Sequence, residues 1–267
     1  MQTFSTIDQL KFFPFLQYIR YFLQQEDRHS LQSPLVYNIY QGLKNYRNET
    51  SPHFSEIENL RQRLLRDQRV ITINDLGAGS LQFGSNKRKV ADITRYSCSS
   101  KKYSLLYQYF CSLTPATTVV ELGTCLGINS CYLAEVTQGC LYTFEGAEEL
   151  VQIARKNIGE YKNTQLILGD ISKTFPIFLQ DQTTVDFVFI DANHTYEHTL
   201  SYFNQLKEKL HANSVVIIGD IHWSKGMEKA WEEIRQMEEV RLSLDFFECG
   251  VLLFKENLVR QHYILAY

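Results

Sequence analysis

A strict alternation of apolar strands and amphipathic helices begins at residue 117 and limits what the chain can fold into. The apolar runs are "TTVVEL" (117–122), "LYTFE" (141–145), "QLILGD" (165–170), "VDFVFID" (185–191), "SVVIIGD" (214–220), "RLSLDFF" (241–247) and "GVLLFK" (250–255). Helices fit between the first six runs, near 127–136, 147–159, 172–180, 195–211 and 226–238. A tight turn at Glu248–Gly250 makes the last two runs an antiparallel pair. The pattern predicts an α/β fold, a doubly wound Rossmann-like seven-stranded sheet with an antiparallel C-terminal hairpin.

The first 114 residues follow a helical period instead. Helices are expected near 6–26, 34–46, 54–67, 88–96 and 101–113, and Ser33 followed by Pro34 is a helix-start signal. One short strand-like run precedes "DLGAGS" (75–80). We therefore expect a mainly helical N-terminal extension or lid with one short strand over 1–114, and the α/β domain over 115–267.

Composition narrows the class of protein. The formal net charge of −3 over 267 residues argues against a nucleic-acid binder, which needs a broad basic face. The six cysteines are scattered without metal-ligand spacing, which favours reduced thiols in a cytoplasmic protein. The stretch "KFFPFLQYIRYFL" (11–23) is too short and too polar to span a bilayer. It is typical of an amphipathic helix that packs on the domain or on another subunit, which is compatible with a homodimer.

Two glycine turns compete for the role of cofactor loop, "DLGAGS" (75–80) and "ELGTCLG" (121–127). Only the second is followed by a helix and then by a strand that ends in an acidic residue, Glu145. A carboxylate at that position can accept hydrogen bonds from both hydroxyls of a ribose. The pattern therefore favours "ELGTCLG", whose first strand leads to the ligand end of a doubly wound sheet.

The chemistry of this loop argues against a dinucleotide. The run Gly123-Thr-Cys-Leu-Gly127 lacks the G-x-G-x-x-G fingerprint, so an NAD-linked dehydrogenase is disfavoured. Glu121, two residues before the first glycine, would repel a pyrophosphate and suits an ammonium group. S-adenosylmethionine combines a ribose, an adenine and a cationic amino-acid tail, and it fits these features.

The segments "VVELGTCLGINSCYLA", "LYTFEG", "LILGDI" and "VDFVFIDANHTYEHTL" resemble the successive motifs of class I S-adenosylmethionine-dependent methyltransferases. The likeness covers about 115–255, and "FIDANHTYEHTL" with "SVVIIGDIHW" is most similar to the bacterial, O-methyltransferase-like branch. The resemblance implies methyl transfer to a small-molecule acceptor, with O-methylation favoured. It implies cofactor-binding roles for Glu121, Gly123, Thr124, Gly127, Glu145, Gly146, Asp170, Ile171 and Asp191.

Catalytic candidates follow the fourth and fifth strands. Asp191 and His194 come after one, and Asp220 and His222 after the other, so the two loops should face each other over the transferable methyl. Methyl transfer to a hydroxyl needs alignment and a base, and a histidine titrates near neutral pH. Either His194 or His222 could therefore act as the base. For each of them, a hydrogen-bonded structural residue is an equal alternative.

A divalent metal such as magnesium is a further alternative. Catechol-type relatives bind one with an aspartate after the fourth strand and an Asp-Asn pair after the fifth. Asp191 and Asp220 match the two acids, but Ile221 stands where asparagine is expected and cannot coordinate. The expectation is therefore no metal of the usual kind; if a metal is present, Asp191 and Asp220 hold it, and a histidine ligand would favour a transition metal.

Three questions stay open from the sequence. Asp75, Gly77 and Ser80, with the basic "SNKRK" (85–89), form either a lid over the acceptor or a structural turn and a solvated loop. An RNA or protein methyltransferase, and a non-catalytic S-adenosylmethionine-binding protein, are the alternative functions. Asp170 is either a contact for the adenine or a helix cap.

Overall fold

A computed structural model describes residues 6–73, 86–255 and 258–267 of the chain. The N-terminal part holds five helices in these ranges: α1 (Thr6–Gln24), α2 (Pro34–Thr50), α3 (Ser55–Leu65), α4 (Val90–Tyr96) and α5 (Lys101–Ser112). Helix α2 begins at Pro34, as the sequence predicts. Two short strands, β1 (Val70–Thr72) and β2 (Lys87–Lys89), pair antiparallel outside the main sheet. The expectation of one strand was therefore wrong, because the basic run that favoured a loop supplies the second.

The remaining elements form the α/β part. They are β3 (Thr118–Leu122), α6 (Ile128–Ala134), β4 (Cys140–Glu145), α7 (Glu148–Asn157), β5 (Thr164–Leu168), α8 (Ile171–Gln180), β6 (Phe187–Ile190), α9 (Tyr196–Leu206), β7 (Val215–Gly219), α10 (Lys225–Arg235), β8 (Leu242–Asp245), β9 (Cys249–Leu253) and β10 (Gln261–Ile264). Strands β3 to β7 are parallel, whereas β9 runs antiparallel to β7 and β8. The doubly wound sheet and its C-terminal hairpin are confirmed.

The sheet contains one strand more than the sequence predicts. Its order is β10-β8-β9-β7-β6-β3-β4-β5, and β10 pairs parallel with β8 at the edge. The segment "QHYI" is short, polar and only partly buried, so it carries no apolar run that marks it as a strand. Its His262 Nδ1 lies 2.9 Å from the hydroxyl of Ser243 on β8, which helps to hold the edge.

Alternate residues of the central strands face opposite sides of the sheet, and both sides are buried. Val119 and Phe187 pack with α2 and α5 on one side, whereas Val120 and Val188 pack with α8, α9 and α10 on the other. Both faces are therefore covered by helices, as a parallel sheet requires. Because α2 and α5 share a core with the sheet, the N-terminal helices are built onto the α/β part. The boundary at residue 114 stays a prediction.

The strand order reverses between β3 and β6, which lie side by side although three elements separate them in sequence. In doubly wound sheets such a reversal opens a crevice at the carboxyl ends of the strands, where ligands bind. The loops that begin at Gly123 and at Asp191 both leave the sheet at this point. No described helix is both long enough and apolar enough to cross a membrane.

Two tryptophans allow a direct test of this core. Trp231 on α10 is 1% exposed, whereas Trp223 in the preceding loop is 47% exposed. We expect Trp231→Ala to lower the free energy of unfolding by about 3–5 kcal/mol, because it leaves a large cavity. Trp223→Ala should change it by less than about 1 kcal/mol. Urea unfolding followed by circular dichroism measures both, and equal losses would contradict this assignment of the core.

Candidate active site

The loop after β3 approaches the loop after β6 more closely than a side chain would allow. Gly123 has a φ of +104°, and a Cβ atom built there would lie 2.4 Å from the carbonyl oxygen of Asp191. Gly127, with a φ of +79°, begins α6. The amides of Gly123 and Thr124 both donate to the carbonyl oxygen of Phe144, each at 3.0 Å. The glycines of "ELGTCLG" therefore bring bare backbone into the crevice.

Glu145, at the end of β4, is fixed by backbone amides. The amide of Cys125 donates to its Oε2 and the amide of Ala147 to its Oε1, each at 2.9 Å. Carboxylates bound in this way stay ionised and oriented. The arrangement places an acceptor group beside the glycine loop, which is what the binding of ribose hydroxyls requires.

Glu121 is completely buried beneath the same loop. Its carboxylate accepts hydrogen bonds from Asn129 Nδ2 at 2.8 Å, from Thr143 Oγ1 at 2.7 Å and from the hydroxyl of Ser130. Burial raises the pKa of Glu121, and the three hydrogen bonds oppose the rise. In the structure this carboxylate ties β3 to β4 and α6. Its contact with the methionine end of a cofactor stays a prediction.

The other predicted cofactor residues line the ends of β3, β4 and β5. The hydroxyl of Thr124 lies 2.5 Å from that of Thr143, and Gly146 is exposed immediately after Glu145. Asp170 caps α8: its Oδ1 accepts from the amide and the hydroxyl of Ser172, and these bonds lower its pKa. The side chain of Ile171 is 7% exposed and packs in the core. The capping role is thus observed for Asp170, and its role at the adenine stays a prediction.

Asp191, His194 and Asp220 come together at the ends of β6 and β7. One ligand atom from each side chain lies within 4.8 Å of the others, and His194 Nδ1 is 3.5 Å from Asp220 Oδ2. Asn193, His194 and Asp220 all have positive φ values, between 38° and 62°. Such backbone is costly for residues with side chains, and it concentrates at functional sites. Three of the four predicted catalytic side chains therefore meet.

The electrostatics of this cluster are dominated by negative charge. Burial raises the pKa of Asp191 to about 7; His194 opposes the rise, whereas Asp220 and Glu121 add to it. A carboxyl with such a pKa can exchange a proton near neutral pH. The cluster therefore favours a bound cation or a proton shared among its members.

The fourth predicted residue, His222, has a different environment. Its Nε2 lies 2.7 Å from Oδ2 of Asp245, and its ring stacks on Phe247 at 5.5 Å between centroids. The side chain is only 12% exposed, and its Nδ1 is buried without a hydrogen-bond partner. The Asp245 contact occupies one ring nitrogen in a structural pair. Of the two histidines, the geometry favours His194 as the one that reaches the reacting groups.

Two further residues surround the cluster and were missed from the sequence. Burial raises the pKa of Tyr107, on α5, with Asp191 and Asp220 among the charges that add to the rise. Partial burial and the charge of Asp220 raise the pKa of Glu248, whose carbonyl oxygen accepts from the Asp220 amide at 2.6 Å. Glu248 follows β8, and the antiparallel pairing of β9 with β7 puts this turn beside the end of β7. That pairing was predictable and could have identified Glu248; Tyr107 left no comparable signal.

The remaining predicted residues bear on the lid and the metal. Asp75, Gly77, Ser80 and Ser85 lie outside the described residues, so the proposed lid stays a prediction. Ile221 is completely buried in the core, in agreement with its inability to coordinate. His194 supplies a nitrogen ligand atom in place of the missing asparagine.

Comparisons with known proteins agree with this geometry. Residues 120–221 match the family model described as a methyltransferase domain. A putative caffeoyl-CoA O-methyltransferase from Staphylococcus aureus has the same fold, with a TM-score of 0.57 and 16% identity over 80% of this chain and 99% of that one. The S-adenosylhomocysteine-bound methyltransferase PaMTH1 of Podospora anserina gives a TM-score of 0.53 and 14% identity, over 75% of this chain and 96% of that one.

A curated relative matches a shorter stretch. The protein-L-isoaspartate O-methyltransferase of Pyrococcus horikoshii is 42% identical over 66 residues, which is 24% of this chain and 30% of that protein. The match thus spans less than a third of the relative's length. Together with the family model, the fold and the glycine loop, these findings identify the class: the chain contains a methyltransferase domain of the S-adenosylmethionine-dependent type.

The raised pKa of Asp191 predicts a pH dependence of stability. Between the ordinary aspartate pKa of 3.8 and the folded value of about 7, the unfolded chain has lost a proton that the folded protein keeps. This group therefore makes the protein less stable as the pH rises through that range. Asp191→Asn removes the effect, so its stability relative to wild type should grow from pH 5 to pH 8.

Urea unfolding at several pH values, with a chelator present, measures this difference. Asp92→Asn serves as the control, because the Asp92 side chain is 50% exposed and only pairs with Arg95. A gap between Asp191→Asn and wild type that is equal at pH 5 and pH 8 would show that Asp191 titrates in its ordinary range.

Proposed function

We propose that this protein transfers a methyl group from S-adenosylmethionine to an oxygen of a small-molecule acceptor. The observation that carries the proposal is the meeting of Asp191, His194 and Asp220 directly beside the glycine loop, at the reversal of strand order. The names of the structural neighbours, an O-methyltransferase and a methyltransferase bound to S-adenosylhomocysteine, support the same class of reaction. The six cysteines are free thiols, which supports a cytoplasmic location.

The glycine loop and the carboxylates around it fit the cofactor. The space that a Cβ at Gly123 would fill is left to backbone, which allows a close approach by the amino-acid tail. Glu145, held by two amides, accepts the ribose hydroxyls, and Gly146 leaves the approach to it open. Asp170 and Ile171 lie at the start of α8, where the adenine would be bound. Bound S-adenosylmethionine supplies a methyl group on a positively charged sulfonium.

The side chains at the ends of β6 and β7 handle the acceptor. His194 takes the proton of the acceptor hydroxyl, because its ring lies between the crevice and Asp220 and can be held by that carboxylate. Asp220 stabilises the imidazolium that forms. The negative charge of Asp191 and Asp220 also favours a cationic methyl donor in the crevice. Alignment of the hydroxyl with the methyl group accounts for the rest of the rate enhancement.

Calorimetric titration with S-adenosylhomocysteine tests the cofactor assignment. We expect binding by the wild type, and a loss of affinity of at least about tenfold in Glu145→Ala, since a hydrogen bond to a charged group contributes about 1.5–3 kcal/mol. Glu145→Gln keeps one acceptor oxygen for the loop amides and should show a smaller loss. Glu148→Ala, on the exposed first turn of α7, is the control. A well-folded wild type that does not bind would refute the proposal.

A metal-assisted version of the reaction is the second candidate. Two carboxylates and one imidazole form a mixed donor set, which suits a transition metal such as manganese better than magnesium. A metal bound by Asp191, His194 and Asp220 would lower the pKa of an acceptor hydroxyl. The same negative cluster that raises the pKa of Asp191 would be neutralised by it.

The metal candidate predicts that activity on caffeoyl-CoA or a simple catechol disappears after treatment with a chelator. Manganese should restore it better than magnesium, and His194→Gln should weaken manganese binding in a calorimetric titration. Full activity in the chelator would leave His194 as an unassisted base and exclude the metal.

A protein acceptor is the remaining alternative, favoured by the name of the Pyrococcus horikoshii relative. Methylation of an isoaspartyl peptide, followed by transfer of label from S-adenosylmethionine, distinguishes it from a small-molecule acceptor. Activity on the peptide without activity on small hydroxyl compounds would replace the leading proposal.

A further inference from the structure

Two cysteine thiols meet at the edge of the cofactor loop. Cys98 lies in the link between α4 and α5, and Cys125 lies in the loop after β3. Their Sγ atoms are 3.8 Å apart, although 27 positions separate the two residues in sequence. Among the free cysteines this pair brings together the N-terminal extension and the proposed binding site.

Cys125 occupies a sensitive position in the loop. Its φ is +50°, an uncommon value for a residue with a side chain, and its amide donates to Glu145 Oε2 at 2.9 Å. That carboxylate is the group proposed to hold the ribose. A movement of Cys125 toward Cys98 would therefore disturb both the loop and Glu145.

The partner thiol belongs to a segment with its own anchor. The carbonyl oxygen of Ser99, next to Cys98, accepts a hydrogen bond from Arg61 at 2.7 Å. Arg61 on α3 is 8% exposed and is paired with Glu58, which also accepts from the hydroxyl of Tyr132. This network holds the Cys98 segment against α3. When the two sulfur atoms approach, the loop that carries Cys125 is thus expected to give way.

We propose that Cys98 and Cys125 form a reversible disulfide in the presence of a peroxide, and that this bond weakens cofactor binding by drawing the Cys125 amide away from Glu145. A disulfide has an S–S distance of about 2.05 Å, so the sulfur atoms must approach by roughly 1.8 Å. Both residues are half-buried, whereas Cys111, Cys131 and Cys249 are buried. Cytosolic disulfides, where they occur, serve mainly as redox sensors of this kind.

The chemistry assigns different roles to the two thiols. The hydrogen bond with Cys98, together with burial, raises the pKa of Cys125, so that thiol stays protonated and resists direct attack on peroxide. The sulfur of Cys98 takes one oxygen atom from hydrogen peroxide, which gives a sulfenic acid and one water. The sulfur of Cys125 then displaces the hydroxyl from Cys98, and its proton leaves with that hydroxyl as a second water. Two thiols are oxidised, and one peroxide is reduced to two waters.

The test combines disulfide mapping with cofactor binding in the full-length protein. Peptide mapping by mass spectrometry after peroxide treatment should find a Cys98–Cys125 disulfide that a thiol reductant removes. Calorimetric titration should show S-adenosylhomocysteine affinity falling about tenfold on oxidation, the factor expected for one lost hydrogen bond to a carboxylate, and recovering on reduction.

Two serine variants make the assignment specific. Cys98→Ser should bind S-adenosylhomocysteine as the reduced wild type does and should keep that affinity in peroxide. Cys140→Ser removes another half-buried thiol, at the opposite end of β4 from Glu145, and should respond to peroxide like the wild type. If Cys140→Ser lost the response and Cys98→Ser kept it, the assignment would be wrong.

Two further results would overturn the proposal: no Cys98–Cys125 disulfide in the mapping, or a mapped disulfide with unchanged affinity. The affinity measurement rests on the proposed function. If the reduced wild type did not bind S-adenosylhomocysteine, the cofactor assignment and its control by these thiols would both fall. The mapping alone would then decide whether the disulfide forms.

Discussion

The close approach of Gly123 to the carbonyl oxygen of Asp191 is the constraint on which the rest of the site depends. Because β3 and β6 are neighbours at the reversal of strand order, the loops that follow them leave the sheet side by side. Any side chain at position 123 would have to occupy the place of that carbonyl group. One bare backbone position thus joins the proposed cofactor loop to the loop that carries Asp191 and His194. The same contact lets a bound ligand reach both.

The second constraint is the density of negative charge around this contact. Asp191, Asp220 and Glu248 influence one another, and Glu121 lies buried beneath them. Burying several carboxylates together is unfavourable unless protons, cations or donors compensate them. Three side chains compensate Glu121, whereas Asp191 is compensated by retention of its proton and by His194. An empty crevice of this kind is electrostatically prepared for a cationic ligand, which a sulfonium or a metal ion would provide.

The sequence could predict the elements whose residues carry their own signal. The strands from β3 to β9 were identified because their apolar runs are continuous and buried, and the glycine loop because its ligand end follows from strand order. Strand β10 was missed because an edge strand of polar residues depends on its partner β8 for its structure. His222 was placed among the catalytic candidates because a sequence shows proximity to a strand end and cannot show that Asp245, on a different strand, binds the ring.

Contacts between distant segments explain both the residues that were missed and the role of the N-terminal helices. Tyr107 on α5 lies against the proposed acceptor site, with its ring 4.1 Å from that of Phe189 on β6. Arg61 on α3 holds the segment that carries Cys98, and Cys98 touches the cofactor loop. These helices thus support the floor of the site from below, in addition to any lid that residues 75–85 provide. A change in how α3 and α5 pack would be felt first at Cys125 and Asp191, because those residues join the helices to the crevice.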